Sequence, residues 1–257
     1  MRHRVAIPLL IFSGLLAAQN GQQPNIEPGW PCTGKPRAVD PAYVKTSEAS
    51  GGQVFLFDRS EVRGFTLIAN GNSRHGATVA RATGTVTNYV DLRVPVDPSI
   101  ESLFVSVSLQ CKQRVILYDP QSRDYRADAN GGQDDVFLAG RIATIPKPAP
   151  GIWTVRLLGT GMYFAVVQAK SSLNVGKAEM KNGAISIFAM PGASFRLVGS
   201  DGETIQDLPL TASPEAPGRY SGPFTPPGKS FRVQATATDA QGYLVQRMDR
   251  RLYESSQ

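Results

Sequence analysis

The chain has 257 residues and carries 27 Lys and Arg against 21 Asp and Glu, a formal net charge of +6 that falls to +4 without Arg2 and Arg4. So small and scattered a surplus argues against nucleic acid as a partner, which calls for basic side chains gathered on one element with aromatics between them. The 25 Gly and 19 Pro fall between short apolar runs, the punctuation of a mainly β protein with many turns, and the length accommodates two domains.

The first segment reads as an export signal. Arg2, His3 and Arg4 precede an apolar run over 5–18, and 19–23 is abruptly polar, the layout of a secretory signal peptide. The run is too short for a bilayer core of about 30 Å, so residues 1–18 are expected to be removed and the mature chain to carry no transmembrane segment. The expected location is secreted: periplasm, cell surface or medium. Cys32 lies well beyond the apolar run, which disfavours a lipid anchor.

Residues 19–39, with Pro24, Pro28, Pro31 and Pro36, read as an extended tail. Cys32 and Cys111 are the chain's two cysteines. In an oxidising compartment such a pair tends to be joined, and chain-entropy accounting assigns so long a loop about 4 to 5 kcal/mol. Two separate thiols remain the alternative, because spacing says nothing of geometry.

Residues 40–72 read as helix, strand, helix. Asp40 caps a helix whose first residue is Pro41, and Gly51 and Gly52 stop it. The apolar run 54–57 is of the kind buried in a parallel sheet, and Asp58 with Glu61 resembles a capping box leading a helix through Ile68. The edge of 54–57 is either open to a strand from another protein or covered by 76–86; the covered arrangement is favoured.

From Gly76 the period becomes two. Leu103, Val105, Val107 and Leu109 form an inward row and Phe104, Ser106, Ser108 and Gln110 an outward one. Further strands are expected over 78–85, 89–96, 114–118, 136–145 and 152–157, with a hairpin turn at 159–161 leading into 162–168. Residues 73–175 thus form a first β-sandwich. Residues 176–257 form a second, immunoglobulin-like one, with strands over 184–189, 194–198, 204–210, 218–224, 231–238 and 243–248.

Catalytic patterns are missing. His75 is the one histidine after the signal and reads as an exposed loop residue; no Gly-x-Ser-x-Gly elbow, zinc ligand set or phosphate loop occurs. No cofactor is expected. The one candidate is calcium, over 119–135, where Asp124, Asp128, Asn130, Asp134 and Asp135 place oxygen atoms around glycines. A solvated loop is the alternative, because no EF-hand spacing is present and Arg123 and Arg126 offset the charge.

Four segments in order, Ser-Gly-Gly-Gln-Val-Phe at 50–55, Arg-Val-Pro-Val-Asp-Pro-Ser at 93–99, Pro-Gly-Ile-Trp-Thr-Val at 150–155 and Gly-Tyr-Leu-Val-Gln-Arg at 242–247, carry a resemblance. Over about 47–253 the chain resembles the segment that follows the von Willebrand factor A domain in hemicentin-like extracellular proteins. The resemblance implies a galactose-binding-like (jelly-roll-like) sandwich followed by an immunoglobulin-like region. It departs at the A domain's metal motif, Asp-x-Ser-x-Ser: residues 58–62 end in Val62, so the A-domain body and its metal site are expected to be missing and no ligand-binding residue carries over.

The functional expectation is a secreted, non-catalytic adhesion or surface-recognition protein binding an extracellular protein or a glycan. The alternative is an accessory or tethering module of an exported enzyme or assembly.

Overall fold

The structure, a computed structural model, describes residues 39–57 and 59–254. The expected signal peptide, the expected tail up to residue 38, Cys32 and Asp58 lie outside the described residues. The architecture is mainly β with a short N-terminal helical piece, as the alternation predicts.

Helix α1 (Pro41–Ser50) starts where its capping residues dictate. Asp40 has an extended backbone and its carboxylate accepts from the Ala42 N–H at 2.9 Å, while Gly51 closes the helix at φ 73°. The expected strand at 54–57 is not one. Val54, Phe55, Leu56 and Phe57 are all buried, but apart from a bridge at Phe57 the segment joins no ladder. Side chains hold it: Leu56 N–H donates to Ser108 Oγ at 2.9 Å, and Gln53 Nε2 donates to Ser106 Oγ at 2.8 Å. The second helix, α2 (Gly64–Arg74), starts later than the capping-box reading places it. Glu61 instead accepts from the Leu138 N–H at 2.7 Å.

The first sandwich is built from β1 (Ala77–Val86), β2 (Tyr89–Val96), β3 (Ile100–Tyr118), β4 (Gln133–Phe137), β5 (Gly140–Pro146) and β6 (Gly151–Ser171). Two long strands organise it. β6 runs antiparallel to β3 along nearly its whole length, pairing β2 on its other side over 151–158 and β1 over 161–169. The expected hairpin at 159–161 is therefore a bend within one strand. Gly159 (φ 144°) and Gly161 (φ 95°) supply it, and a Cβ at Gly159 would stand 2.1 Å from the Cys111 carbonyl oxygen. Register shifts in β3 between Leu109 and Cys111 and between Lys112 and Arg114 match the bend. Each long strand thus runs through both layers of one continuous sheet, with Leu103, Val105, Leu117, Trp153, Leu157 and Val167 in the core between them.

The row expected to face solvent does not. Phe104, Ser106 and Ser108 are buried, because 54–57 and α2 cover the outer face of β3 and β5. Phe55 and Phe57 stack at 4.4 Å, and Phe137 meets both edge-on.

The second sandwich comprises β7 (Glu179–Lys181), β8 (Ala184–Phe188), β9 (Ser194–Val198), β10 (Thr204–Leu208), β11 (Thr211–Ala212), β12 (Arg219–Pro223), β13 (Arg232–Thr238) and β14 (Leu244–Met248). Sheets β10-β9-β13-β14 and β11-β12-β8-β7 enclose a core that includes Ile187, Phe195, Leu197, Phe231, Val233 and Val245. β14 continues onto β1 through the pair Thr78 and Met248, which joins all six strands of the first sandwich to β10-β9-β13-β14 in a single ten-stranded sheet.

Candidate functional site

Two buried arginine clusters fix the junction between the sandwiches. Arg247 is 0% exposed. Its Nη1 donates to Asp97 Oδ2 at 2.7 Å, Nη2 to Ser171 Oγ and Ser99 Oγ, and Nε to the Leu173 carbonyl. Burial alone would raise the Asp97 pKa, but the hydrogen bonds from Arg247 and Ser99 hold it below the usual carboxylate value. The second cluster centres on Glu48 of α1, which pairs with Arg81 of β1 (Oε1, 3.1 Å) and with Arg232 of β13, and accepts from Thr83 Oγ1. Arg81 also donates to the carbonyls of Gly51 and Gly52. Desolvation pushes Arg81 and Arg232 each down to about 10, so both remain cationic at neutral pH.

Beside this junction lies a cleft of about 380 Å³, within the range of small-ligand sites. Its floor is apolar: Val90 and Leu92 of β2, Ala80 and Ala82 of β1, and Met248 of β14. Its rim is polar and of mixed charge, with Arg93 from the first sandwich and Arg196, Asp201 and Glu203 from the second. The turn carrying Asp201 and Glu203 is fixed to β1 by the Thr83 N–H donating to the Ser200 carbonyl at 2.7 Å. Arg196 is held by Gln234, and Gln246 by the Val79 carbonyl. Burial, reinforced by Asp201 and Glu203, raises the Tyr163 pKa, so this phenol enters the cleft protonated.

On the outer face beside the cleft, Arg156 forms a forked ion pair with Asp91 at 2.7 and 2.6 Å, its guanidinium 5.1 Å from the Tyr89 ring centre and 5.4 Å from that of Tyr118. None of these residues was singled out from sequence. One signal was available: Pro95 inside an alternating segment marks an edge strand.

The candidate calcium ligands do not converge. Asp134 forks onto buried Arg141, Asp128 pairs with Arg126, Asp124 with Arg114, Asp135 accepts from Gln133 Nε2, and Asn130 Nδ2 donates to the Arg126 carbonyl. Among the described residues no group of three or more His, Cys, Asp or Glu is gathered as a metal would require. Asp119 also turns inward, accepting from the backbone N–H groups of Gln121 and Arg123. The loop is ordered by arginines that the sequence shows only as charge offset.

His75, expected to be exposed, is buried at 3%. Nδ1 meets the Gly71 carbonyl at 2.9 Å, Nε2 meets Ser102 Oγ at 2.8 Å, and the ring stacks on Phe104. It closes α2 onto β3. Cys111 is buried at the β3 bend. Among the described residues no helix is long and apolar enough to cross a membrane.

No family model matches the chain, and no curated protein matches it. Among solved structures, it is similar to a Bacillus licheniformis lipase in propeptide form (12% identity, TM-score 0.39, covering 67% of this chain and 40% of that one). It is also similar to a beta-1,2-glucanase from Parabacteroides distasonis (12%, TM-score 0.23, 65% and 30%). A third is a b-glucuronidase from Ruminococcus gnavus in complex with D-glucaro 1,5-lactone (10%, TM-score 0.23, 63% and 34%). The chain spans less than half the length of each.

Proposed function

We propose that this protein is an exported, non-catalytic recognition module that holds an extracellular protein or glycan in the cleft between its two sandwiches. The observation that carries the reading is the cleft itself: an apolar floor, a polar rim of both charges, and walls held in place by Glu48, Arg81, Arg232, Asp97 and Arg247. A pre-positioned site of this kind binds without first ordering its walls, so less of the interaction free energy is lost on association. Export and a Cys32 to Cys111 disulfide belong to the same proposal. So does an origin near the hemicentin-like segment.

The test is direct binding of the mature protein to a glycan panel and to a panel of secreted proteins, repeated with the Asp201→Ala, Glu203→Ala double variant. A ligand held by the native protein and lost by the variant is the expected result. Absence of any ligand, together with an esterase or glycosidase activity abolished by His75→Ala, would replace the reading with a catalytic one.

A further inference from the structure

β2 is an edge strand whose open side lies in the cleft. Among the described residues it pairs with β6 alone, in the register Tyr89 with Leu158 through Val96 with Gly151. The Gly159 N–H donates to the Asn88 carbonyl at 2.8 Å, which makes Asn88 and Gly159 a hydrogen-bonded pair. In an antiparallel ladder that parity alternates, so Val90, Leu92 and Val94 bond to β6, while the N–H and C=O groups of Tyr89, Asp91 and Arg93 point away from it. Pro95, which has no N–H, falls on the outward parity, where it costs the β6 ladder nothing. Four consecutive residues, 90–93, line the cleft, and at ~3.3 Å per residue they offer about 13 Å of edge.

We infer that this edge receives an extended polypeptide segment of a partner protein by strand addition, the segment alternating small apolar residues with charged ones. The inference rests on the recognition reading above and names its ligand class. Main-chain groups of Asp91 and Arg93 supply the hydrogen bonds. Side chains of the added strand that continue the Val90 and Leu92 row fall on the floor of Ala80, Ala82 and Met248. Those on the opposite face meet charge. Asp91 is already held by Arg156, whereas Arg93 has no ion pair among the described residues, so a carboxylate is favoured opposite it. Asp201 and Glu203 on the facing wall favour a basic residue in the same segment. A glycan offers no ladder of alternating amide donors and acceptors to this edge, so the exposed main chain points to a peptide.

The experiment uses the mature protein and a phage-displayed library of random dodecapeptides, selected on wild type and then measured as synthetic peptides against Arg93→Ala and Arg93→Pro. Proline at 93 removes an outward N–H and leaves the bonds to β6 intact, and circular dichroism and melting of this variant report that the fold is kept. Selected peptides should bind Arg93→Pro roughly tenfold more weakly or worse, and Arg93→Ala only a few-fold more weakly. N-methylation of alternate peptide amides should abolish binding in one parity and spare it in the other, a readout independent of any protein variant. Peptides that bind Arg93→Pro as wild type, or a library yielding no binder, overturn the inference. A glycan bound equally by wild type and Arg93→Pro overturns strand addition while leaving the recognition reading in place.

Discussion

Arg247 of the second sandwich and Asp97 of the first form an ion pair at 2.7 Å with both side chains withdrawn from solvent. A buried pair is a poor source of net stability but a strict geometric requirement, because removing one partner strands the other's charge. Asp97→Asn should therefore cost about 3–5 kcal/mol in urea unfolding. Its pH dependence has a definite sign. The folded-state pKa of Asp97 lies below the unfolded value of about 3.9, so the contribution is complete above that value and disappears as pH falls through the folded one. Native protein should lose stability over that acid window more steeply than Asp97→Asn does.

The Glu48 cluster predicts an inequality. Arg81 bonds to Glu48, Gly51 and Gly52, whereas Arg232 has Glu48 alone and leaves Nε and Nη1 without acceptors among the described residues. Arg232→Met discards unsatisfied donors along with the pair and should cost less than Arg81→Met. Glu48→Gln should be the worst of the three, leaving two buried guanidinium groups facing a neutral amide. Equilibrium unfolding of the three variants checks the order, and equal costs for the two Arg variants would contradict it.

What the sequence disclosed depended on how local the cause was. Asp40, Pro41 and Gly51 act on their immediate neighbours, and α1 lies where they place it. The alternation of Phe231, Val233, Ala235 and Ala237 likewise reports a core-facing row. Distant causes left no such trace. Ser106 and Ser108 look like a solvent row because alternation registers polarity, and the segment that covers them lies about fifty residues earlier. The glycines at 159 and 161 look like a turn because positive φ serves turns and bends alike; the uninterrupted partner β3 makes them a bend. Arg247 shares a face of β14 with core-facing Val245, but its partners Asp97, Ser99 and Ser171 lie 76 to 150 residues earlier, so no local pattern shows what receives its charge. The cleft was invisible for the same reason, since its walls come from strands separated by a hundred residues or more.

Calcium should leave stability unchanged. Asp119, Asp124, Asp128 and Asp134 are engaged by Arg123, Arg114, Arg126 and Arg141, and Asp135 accepts from Gln133 Nε2, so a cation would have to displace these partners. The melting temperature should be the same in EDTA and in millimolar calcium; a rise with calcium would restore the metal reading. Asp134→Ala should instead destabilise by about 3–5 kcal/mol, because it leaves Arg141 buried and unpaired.

The proposed bridge between Cys32 and Cys111 has a simple chemical readout. Maleimide under denaturing, non-reducing conditions should modify no thiol in the mature protein, and two after reduction. Two modified thiols before reduction would rule the bridge out.

His75 supplies a test near neutral pH. Burial, with further contributions from Arg74 and Lys170, lowers its pKa below the ordinary 6.5 despite the hydrogen bond with the Gly71 carbonyl, which acts the other way. The unfolded chain therefore takes up the proton first. Stability from the neutral ring is complete above about pH 6.5 and declines as pH falls from there to the folded-state value, below which protonated His75 is bound in both states. His75→Gln, which can still reach Ser102 or Gly71 but does not titrate, should flatten the stability profile across that window while lowering stability at pH 8 through the lost stacking on Phe104. Urea unfolding at pH 8, 6.5 and 5.5 measures both effects. Parallel profiles for the two proteins would show that the imidazole holding α2 against β3 does not change charge over this range.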